Sequence, residues 1–509
     1  MNKPSVPDLR PTPDLDVMII GAGISGIDAA YHLQTRRPGT RFAIVEAKDA
    51  IGGTWHTHRF PGIRSDSDLF TFGFKWKPWT GVPIATAPEI LKYLNEAVDE
   101  NDLRRHIRFN TKVKAVSWRA EHQLWRVTLC GQSDNSETTI TSRFLWMCAG
   151  YYRHDEGFTP DIPGLDTFDG PVLHPQTWPD DLDYSGKSIV VIGSGATAAT
   201  LIPALAEKAK HVTMLQRSPT YFYPRPQTDE FTETLRALNL PDEWYHEIMR
   251  RRMLFEQQRI QKRAREEPDA LAREFIAGAR AYLGSGFDIK THFTPSYRPW
   301  HQRLAVVPEG DMFKAIRAGT ASVVTDQIDQ VMPSGIQLQS GEMLEADIIV
   351  TATGLHMTML GEIPIDLDGQ PFDVADSITH RGIMLSDLPN LVHVFGYLRT
   401  SWTMRANLVS DYVCRLLEHM ETSGATSVTP RTTPEDLPEE RRPWIDPENF
   451  NPGYITRALA RLPQQGKAEP WIMTQDYFTD RETLPKADFN DGTLEFEQTQ
   501  VSTGKPVAL

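Results

Sequence analysis

One pattern occurs twice in this chain and constrains its fold more than any other feature: an apolar run, a glycine-rich turn, a helical stretch and a second apolar run. The first copy begins at residues 16–20 (DVMII) and turns through Gly21-Ala22-Gly23-Ile24-Ser25-Gly26. It reads as helix over 27–34 and closes on 41–46, RFAIVE. The second begins at 188–192 and turns through Gly193-Ser194-Gly195-Ala196-Thr197-Ala198. It continues as a helical stretch and closes on 211–217, HVTMLQR. Short apolar strands alternating with helices build parallel sheets. A third apolar strand, ADIIVTATG, spans 346–354. The expected fold is therefore α/β, with two Rossmann-like dinucleotide-binding domains.

A GxGxxG turn alone is weak evidence, but here it stands between a strand and a helix. Gly21 permits the tight turn, Gly23 lets a pyrophosphate approach the backbone, and Gly26 lets helix and strand pack closely. The helix start offers free N–H groups and a positive dipole end to phosphates. Glu46 ends the second strand about 20 residues beyond the last glycine, where a carboxylate accepts hydrogen bonds from a ribose diol. In the second copy Ala198 replaces the third glycine, a tolerated variant. Its strand ends not in an acid but in Arg217-Ser218. A guanidinium there suits the 2′-phosphate of NADPH; the plainer alternative is that Arg217 caps the strand and pairs with a neighbouring acid. Two such sites imply a flavin facing a nicotinamide, with a disulfide, a quinone or O2 as electron acceptor. The absence of any CxxC or CxxxxC pair argues against the disulfide.

Of 509 residues, 40% are hydrophobic, enough for more than one core, and the formal net charge of −14 argues against a nucleic-acid partner. Cys130, Cys148 and Cys414 are too few and scattered for a disulfide framework, which fits a reducing cytoplasm. No signal-peptide h-region and no apolar run long enough to span a bilayer is seen. Residues 1–14 are Pro-rich and read as a loose tail, and 430–452 as an extended surface segment. Between them, about 226–299 reads as a helical insertion whose arginine run, Arg250-Arg251-Arg252, forms a solvated face.

Three further motifs carry a resemblance. Phe168-x-Gly170-x-x-x-His174-x-x-x-Trp178-Pro179 is the first. Gly52-Gly53-x-Trp55 followed by Phe60-Pro61-Gly62-x-x-x-Asp66 is the second, and Asp347 with Ala352-Thr353-Gly354 the third. With the two glycine turns they resemble the class B flavoprotein monooxygenases, specifically the Baeyer–Villiger group, over about residues 15–480. The resemblance implies FAD and NADPH as cofactors. It also implies conversion of a ketone to an ester or lactone with O2, through attack of a C4a-peroxyflavin on the carbonyl. A heteroatom oxygenase acting on thioethers is the alternative, and a redox-sensing flavoprotein the non-enzymatic one.

The resemblance also assigns residues. Around FAD it places Gly21, Gly23, Ser25, Gly26, Glu46, Thr54, Trp55, Asp66 and Val113. Around NADPH it places Gly193, Ser194, Gly195, Thr197, Ala198, Arg217, Ser218 and Trp402. Arg303 falls at the active-site arginine, with Asp66 holding it, and His174 on a segment linking the two domains. Phe70 stands where close members of the group carry tyrosine, implying one hydroxyl fewer near the cofactor. The implied division is an FAD part over 1–165 and 385–509 and an NADPH part over 166–384.

Overall fold

The computed structural model describes residues 12–440 and 442–498. Most of the expected N-terminal tail lies outside them. Strand β1 (Leu15–Ile20) is buried from Val17 onward. It leads through the first glycine turn into helix α1 (Ile24–Arg36), whose Ala29, Ala30 and Leu33 are fully buried. The chain returns through β2 (Phe42–Val45), parallel to β1 with Val17 opposite Phe42. A one-turn helix, α2 (Leu69–Phe72), follows, capped by the Asp68 carboxylate, which accepts from the Thr71 N–H. Strands β3 (Thr111–Arg119), β4 (Leu124–Gly131) and β5 (Glu137–Met147) form an antiparallel meander, and β5 lies parallel to β1 on its other side. Among the described residues this sheet has nine strands.

The chain then leaves the first sheet by β6 (Tyr152–Gly157) and enters a second through the short edge strand β7 (Val172–Leu173). The second glycine unit supplies β8 (Ser188–Ile192), α3 (Ala196–Leu205) and β9 (His211–Gln216). Three helices follow: α4 (Glu230–Ala237), α5 (Asp242–Glu266) and α6 (Pro268–Leu283). Strands β10 (Ala321–Thr325) and β11 (Ile348–Thr351) complete a parallel sheet of order β10-β9-β8-β11-β7. The return passes through β12 (Leu355–Met357), which pairs antiparallel with β6, so both crossings between the sheets share one ribbon. Strand β13 (Ile365–Leu367) already pairs with β3 of the first sheet. The return to the first sheet thus precedes residue 385, because an isolated short strand with no glycine turn carries no signal of which sheet it joins. Strand β14 (Leu391–His393) then lies on β5, and α7 (Trp402–Ser423) packs along α1.

The insertion is helical as expected, but its arginine run is not a solvated face. Arg250 is buried and donates to the Phe70 carbonyl at 2.8 Å, and Arg252 pairs with Asp229 and Glu256; only Arg251 is fully exposed. The reason is packing: Tyr245, Met249 and Met253 of α5 close over Phe70 of α2, and Arg250 is on the same face. Phe70 itself is fully buried, its ring against Tyr245 and His246. A hydroxyl there would enter this core rather than the cavity described below. Nor is 430–452 all surface, since Trp444, Ile445 and Phe450 are buried against Phe395 and Leu398.

Candidate functional site

The first glycine turn opens on a cavity of about 740 Å³. Gly21 has φ +105°, and a Cβ on Gly26 would collide with the Gly21 carbonyl oxygen, so neither position accepts a side chain. Gly23 caps α1 with no side-chain bond, and no acid stands in the first turn. The helix therefore presents bare N–H groups to the cavity. Glu46 is buried, and the turn holds it in place: one carboxylate oxygen accepts from the Ala22 N–H at 2.7 Å, the other from the Lys48 N–H at 2.9 Å. Thr54, Trp55 and Val113 line the same cavity.

Asp66, Arg303 and Trp402 also line it. Arg303 and Asp66 approach to 3.4 Å, each with a side chain about 30% exposed. Burial by itself would lower the Arg303 pKa. The Asp66 carboxylate and the phenols of Tyr151, Tyr454 and Tyr152 outweigh it, so the guanidinium stays well above its ordinary value. It is a permanent cation. Trp402 donates from Nε1 to Ser25 Oγ at 3.1 Å and stacks on Tyr151 at 4.4 Å. Its ring thus sits against the first glycine turn. The three tyrosines escape sequence reasoning: Tyr151 and Tyr152 follow a buried strand end, and Tyr454 comes from a remote segment with no motif.

The second turn is built alike. Gly193 has φ +131°, and a Cβ there would strike the Ala352 carbonyl oxygen, so the turn seats directly against the Ala352-Thr353-Gly354 strand end. Gly195 caps α3 with open space above it. Ser194 Oγ lies 2.9 Å from Thr220 Oγ1, and Thr197 is half-buried. Ala198 is fully buried, so it takes the packing role of a third glycine. Arg217 and Ser218 are exposed at the end of β9, and Arg217 has no ion-pairing carboxylate among the described residues. None of these second-turn residues lines the cavity of the first turn.

The Phe168–Trp178 motif follows the edge of the second sheet and does not line the cavity. A Cβ on Gly170 would meet the Asp347 carbonyl oxygen, and Phe168 packs beside the turn. Asp347 Oδ2 accepts from the Ser188 N–H at 2.7 Å, fixing the start of β11 against β8. His174 sits at the other end: its Nδ1 accepts from the Gln176 N–H at 3.1 Å and its Nε2 lies 3.0 Å from the Gly354 carbonyl. An acceptor at Nδ1 requires the proton on Nε2, and burial lowers the His174 pKa, so the ring is neutral. Trp178 lies in the core of the second sheet. His174 thus pins the crossing ribbon, since a Cβ on Gly157 would enter its ring. Among the described residues no cluster of His, Cys, Asp and Glu could hold a metal.

Similarity to known proteins decides the class. The profile of the pyridine nucleotide-disulphide oxidoreductase family matches residues 15–240. The FAD-containing monooxygenase EthA of Mycobacterium tuberculosis is 43% identical over 97% of this chain and 100% of its own. The chain belongs to the FAD-containing monooxygenases. The probable FAD-binding monooxygenase AlmA of Acinetobacter baylyi is 44% identical over 95% of this chain and 96% of its own. In fold, this monooxygenase is similar to an oxidized steroid monooxygenase bound to NADP (TM-score 0.73, 22% identity, 95% of this chain and 99% of the other). It is also similar to cyclohexanone monooxygenase from Rhodococcus sp. Phi1 bound to NADP+ (0.66, 23%, 83% and 87%). The first turn and its cavity fit FAD: bare backbone donors, an acid at the strand end and an apolar wall at Trp55 and Val113. No helix among the described residues is long and apolar enough to cross a membrane.

Proposed function

We propose that this monooxygenase carries out NADPH-dependent Baeyer–Villiger oxygenation. One oxygen atom of O2 enters a ketone beside its carbonyl to give an ester or lactone, and the other leaves as water. Oxidation of NADPH to NADP+ supplies the two electrons. The observation that carries the reading is the Arg303–Asp66 pair, facing the same cavity as the first glycine turn. Bound FAD would supply the relay of electrons from the nicotinamide and the activation of O2.

The protein's part is electrostatic and steric. Arg303, charged at any working pH, donates hydrogen bonds to oxygen atoms that gain negative charge as the carbonyl is attacked. Asp66 orients it. Tyr151 and Trp402, stacked, close the wall against water. Arg217 and Ser218 hold the 2′-phosphate of NADPH, and the crossing ribbon pinned by His174 lets the two nucleotide regions move relative to each other between reduction and oxygenation. The name of the cyclohexanone monooxygenase supports a ketone substrate. Three free cysteines, two of them buried, support a reducing, cytoplasmic setting.

The test is NADPH consumption by FAD-loaded protein over linear, cyclic and aryl ketones and one thioether, with products identified by mass spectrometry. A ketone-dependent product heavier by one oxygen and fragmenting as an ester is the expected result; sulfoxide alone would reassign the enzyme to heteroatom oxidation. In Arg303→Ala, flavin reduction by NADPH persists while ester formation falls by on the order of 100-fold or more. Efficient ester formation by that variant would refute the role of Arg303.

A further inference from the structure

Three guanidinium groups converge on a small recess outside the sites above. Arg265 stands in the last turn of α5, Arg298 in the loop before Arg303, and Arg399 shortly before Trp402. With Gln261, Trp300 and Asn449 they line a hollow of about 40 Å³. Among the described residues none of the three has an ion-pairing carboxylate. Arg298 donates to the Glu448 carbonyl at 3.3 Å and to Asn449 Oδ1 at 3.2 Å, and Arg399 to the Asn449 carbonyl. Burial, then the charges of Arg298 and Arg265, push the Arg399 pKa below the ordinary arginine value, with Asp446 opposing.

Two more observations fall on the same recess. Trp300 Nε1–H is buried without an acceptor. Trp300 also has φ +65°, a region that bulky L residues rarely occupy. Strained backbone and unsatisfied donors concentrate where a ligand completes the structure. Like charges gathered with no carboxylate in ion-pair contact, and only Asp446 opposing from farther off, repel one another, and a bound anion would offset that cost. The planar guanidinium fork matches a carboxylate. The recess and the cavity share no lining residue, but chain neighbours link them: Thr400, next to Arg399, lines the cavity, and Arg303 follows Arg298 after a short loop.

We propose that this recess binds the carboxylate of the substrate, so that the ketone oxygenated here is an oxo acid whose charged end is held by Arg265, Arg298 and Arg399. The assignment rests on the Baeyer–Villiger reading above. Arg265 is exposed at a helix end, so Arg265→Glu reverses one charge without disturbing the core. The experiment compares oxo acids of graded length with ketones of equal length lacking the carboxylate, using FAD-loaded wild type and Arg265→Glu. The expected result is a KM for the oxo acids raised about tenfold or more with kcat little changed, while KM for the neutral ketones moves less than about twofold. Arg399→Lys, which keeps the charge but loses the fork, should retain part of the preference. Equal shifts for both substrate sets, or none, would overturn the proposal.

If neither set is oxygenated, the Baeyer–Villiger reading fails, and the recess is read by thermal unfolding with decanoate or inorganic phosphate added. Stabilisation by decanoate that Arg265→Glu abolishes supports the carboxylate site independently. Stabilisation by phosphate alone, or by neither, overturns it.

Discussion

Arg303 and Arg217 are the same residue type in opposite surroundings. Arg303 is mostly withdrawn from water among phenols and one carboxylate, so its charge acts through a medium that screens it weakly. Arg217 is exposed at a strand end with no acid beside it, available to a phosphate. Arg217→Ala should raise KM for NADPH about tenfold or more and move KM for NADH little, since a charge-assisted hydrogen bond contributes roughly 1.5–3 kcal/mol. Steady-state kinetics with both nucleotides checks this; an equal change with both would remove the 2′-phosphate role. The residue types at both positions are legible in the sequence. What was not legible is that Arg217 lacks an acidic partner, because that depends on which side chains the fold brings near.

At the scale of elements, the glycine units form as their pattern requires, because the apolar strands are largely buried and Gly21, Gly26 and Gly193 each face a backbone carbonyl oxygen. The insertion was legible as helix from its spacing, but its orientation was not. Neighbouring arginines on one helix point in different directions, and only the partner α2 decides which is buried. Arg250→Ala leaves the buried Phe70 carbonyl unpaired and should cost about 1–3 kcal/mol. Arg251→Ala, which removes an exposed pair with Glu247, should cost less than about 0.5 kcal/mol. Urea denaturation of the two variants separates them; equal costs would mean that α5 does not dock as described.

Across the whole molecule, the C-terminal segment is fastened by a buried ion pair. Arg405 of α7 and Asp480 are almost completely withdrawn from solvent, and Asp480 also accepts from Tyr397, a cavity residue, at 2.6 Å. Asp480→Ala would strand a buried cation, at a cost of about 3–5 kcal/mol in thermal or chemical unfolding; a cost below about 1 kcal/mol would show the segment to be loosely attached. Buried histidines add a pH dependence. Burial, then the charge of Arg381, lowers the His380 pKa to about 3; burial, then Arg405, lowers that of His393 to about 3. In the unfolded chain both titrate near about 6.5. As pH falls from that value the unfolded state takes up protons that the folded state refuses, so stability declines between pH 6.5 and 3, and these groups add no slope above 6.5. The Tm should therefore be lower at pH 5 than at pH 7.5, with a smaller difference in His393→Phe; an unchanged difference would exclude His393 as a source.

The sequence by itself determined the two nucleotide-binding units, the class of chemistry and most of the motif positions. Glycine turns, strand-end residues and apolar runs act over a few neighbouring positions, so their meaning is local. The tertiary structure alone decided which residues share the cavity. It brought Asp66, Tyr151, Arg303 and Trp402 together there from distant segments, set Tyr454 near Arg303, sent the Phe168–Trp178 motif to the sheet edge and crossing ribbon, and gathered Arg265, Arg298 and Arg399 at one recess. Those groupings follow from the packing of two sheets and an inserted helix, and no local pattern in the chain encodes them.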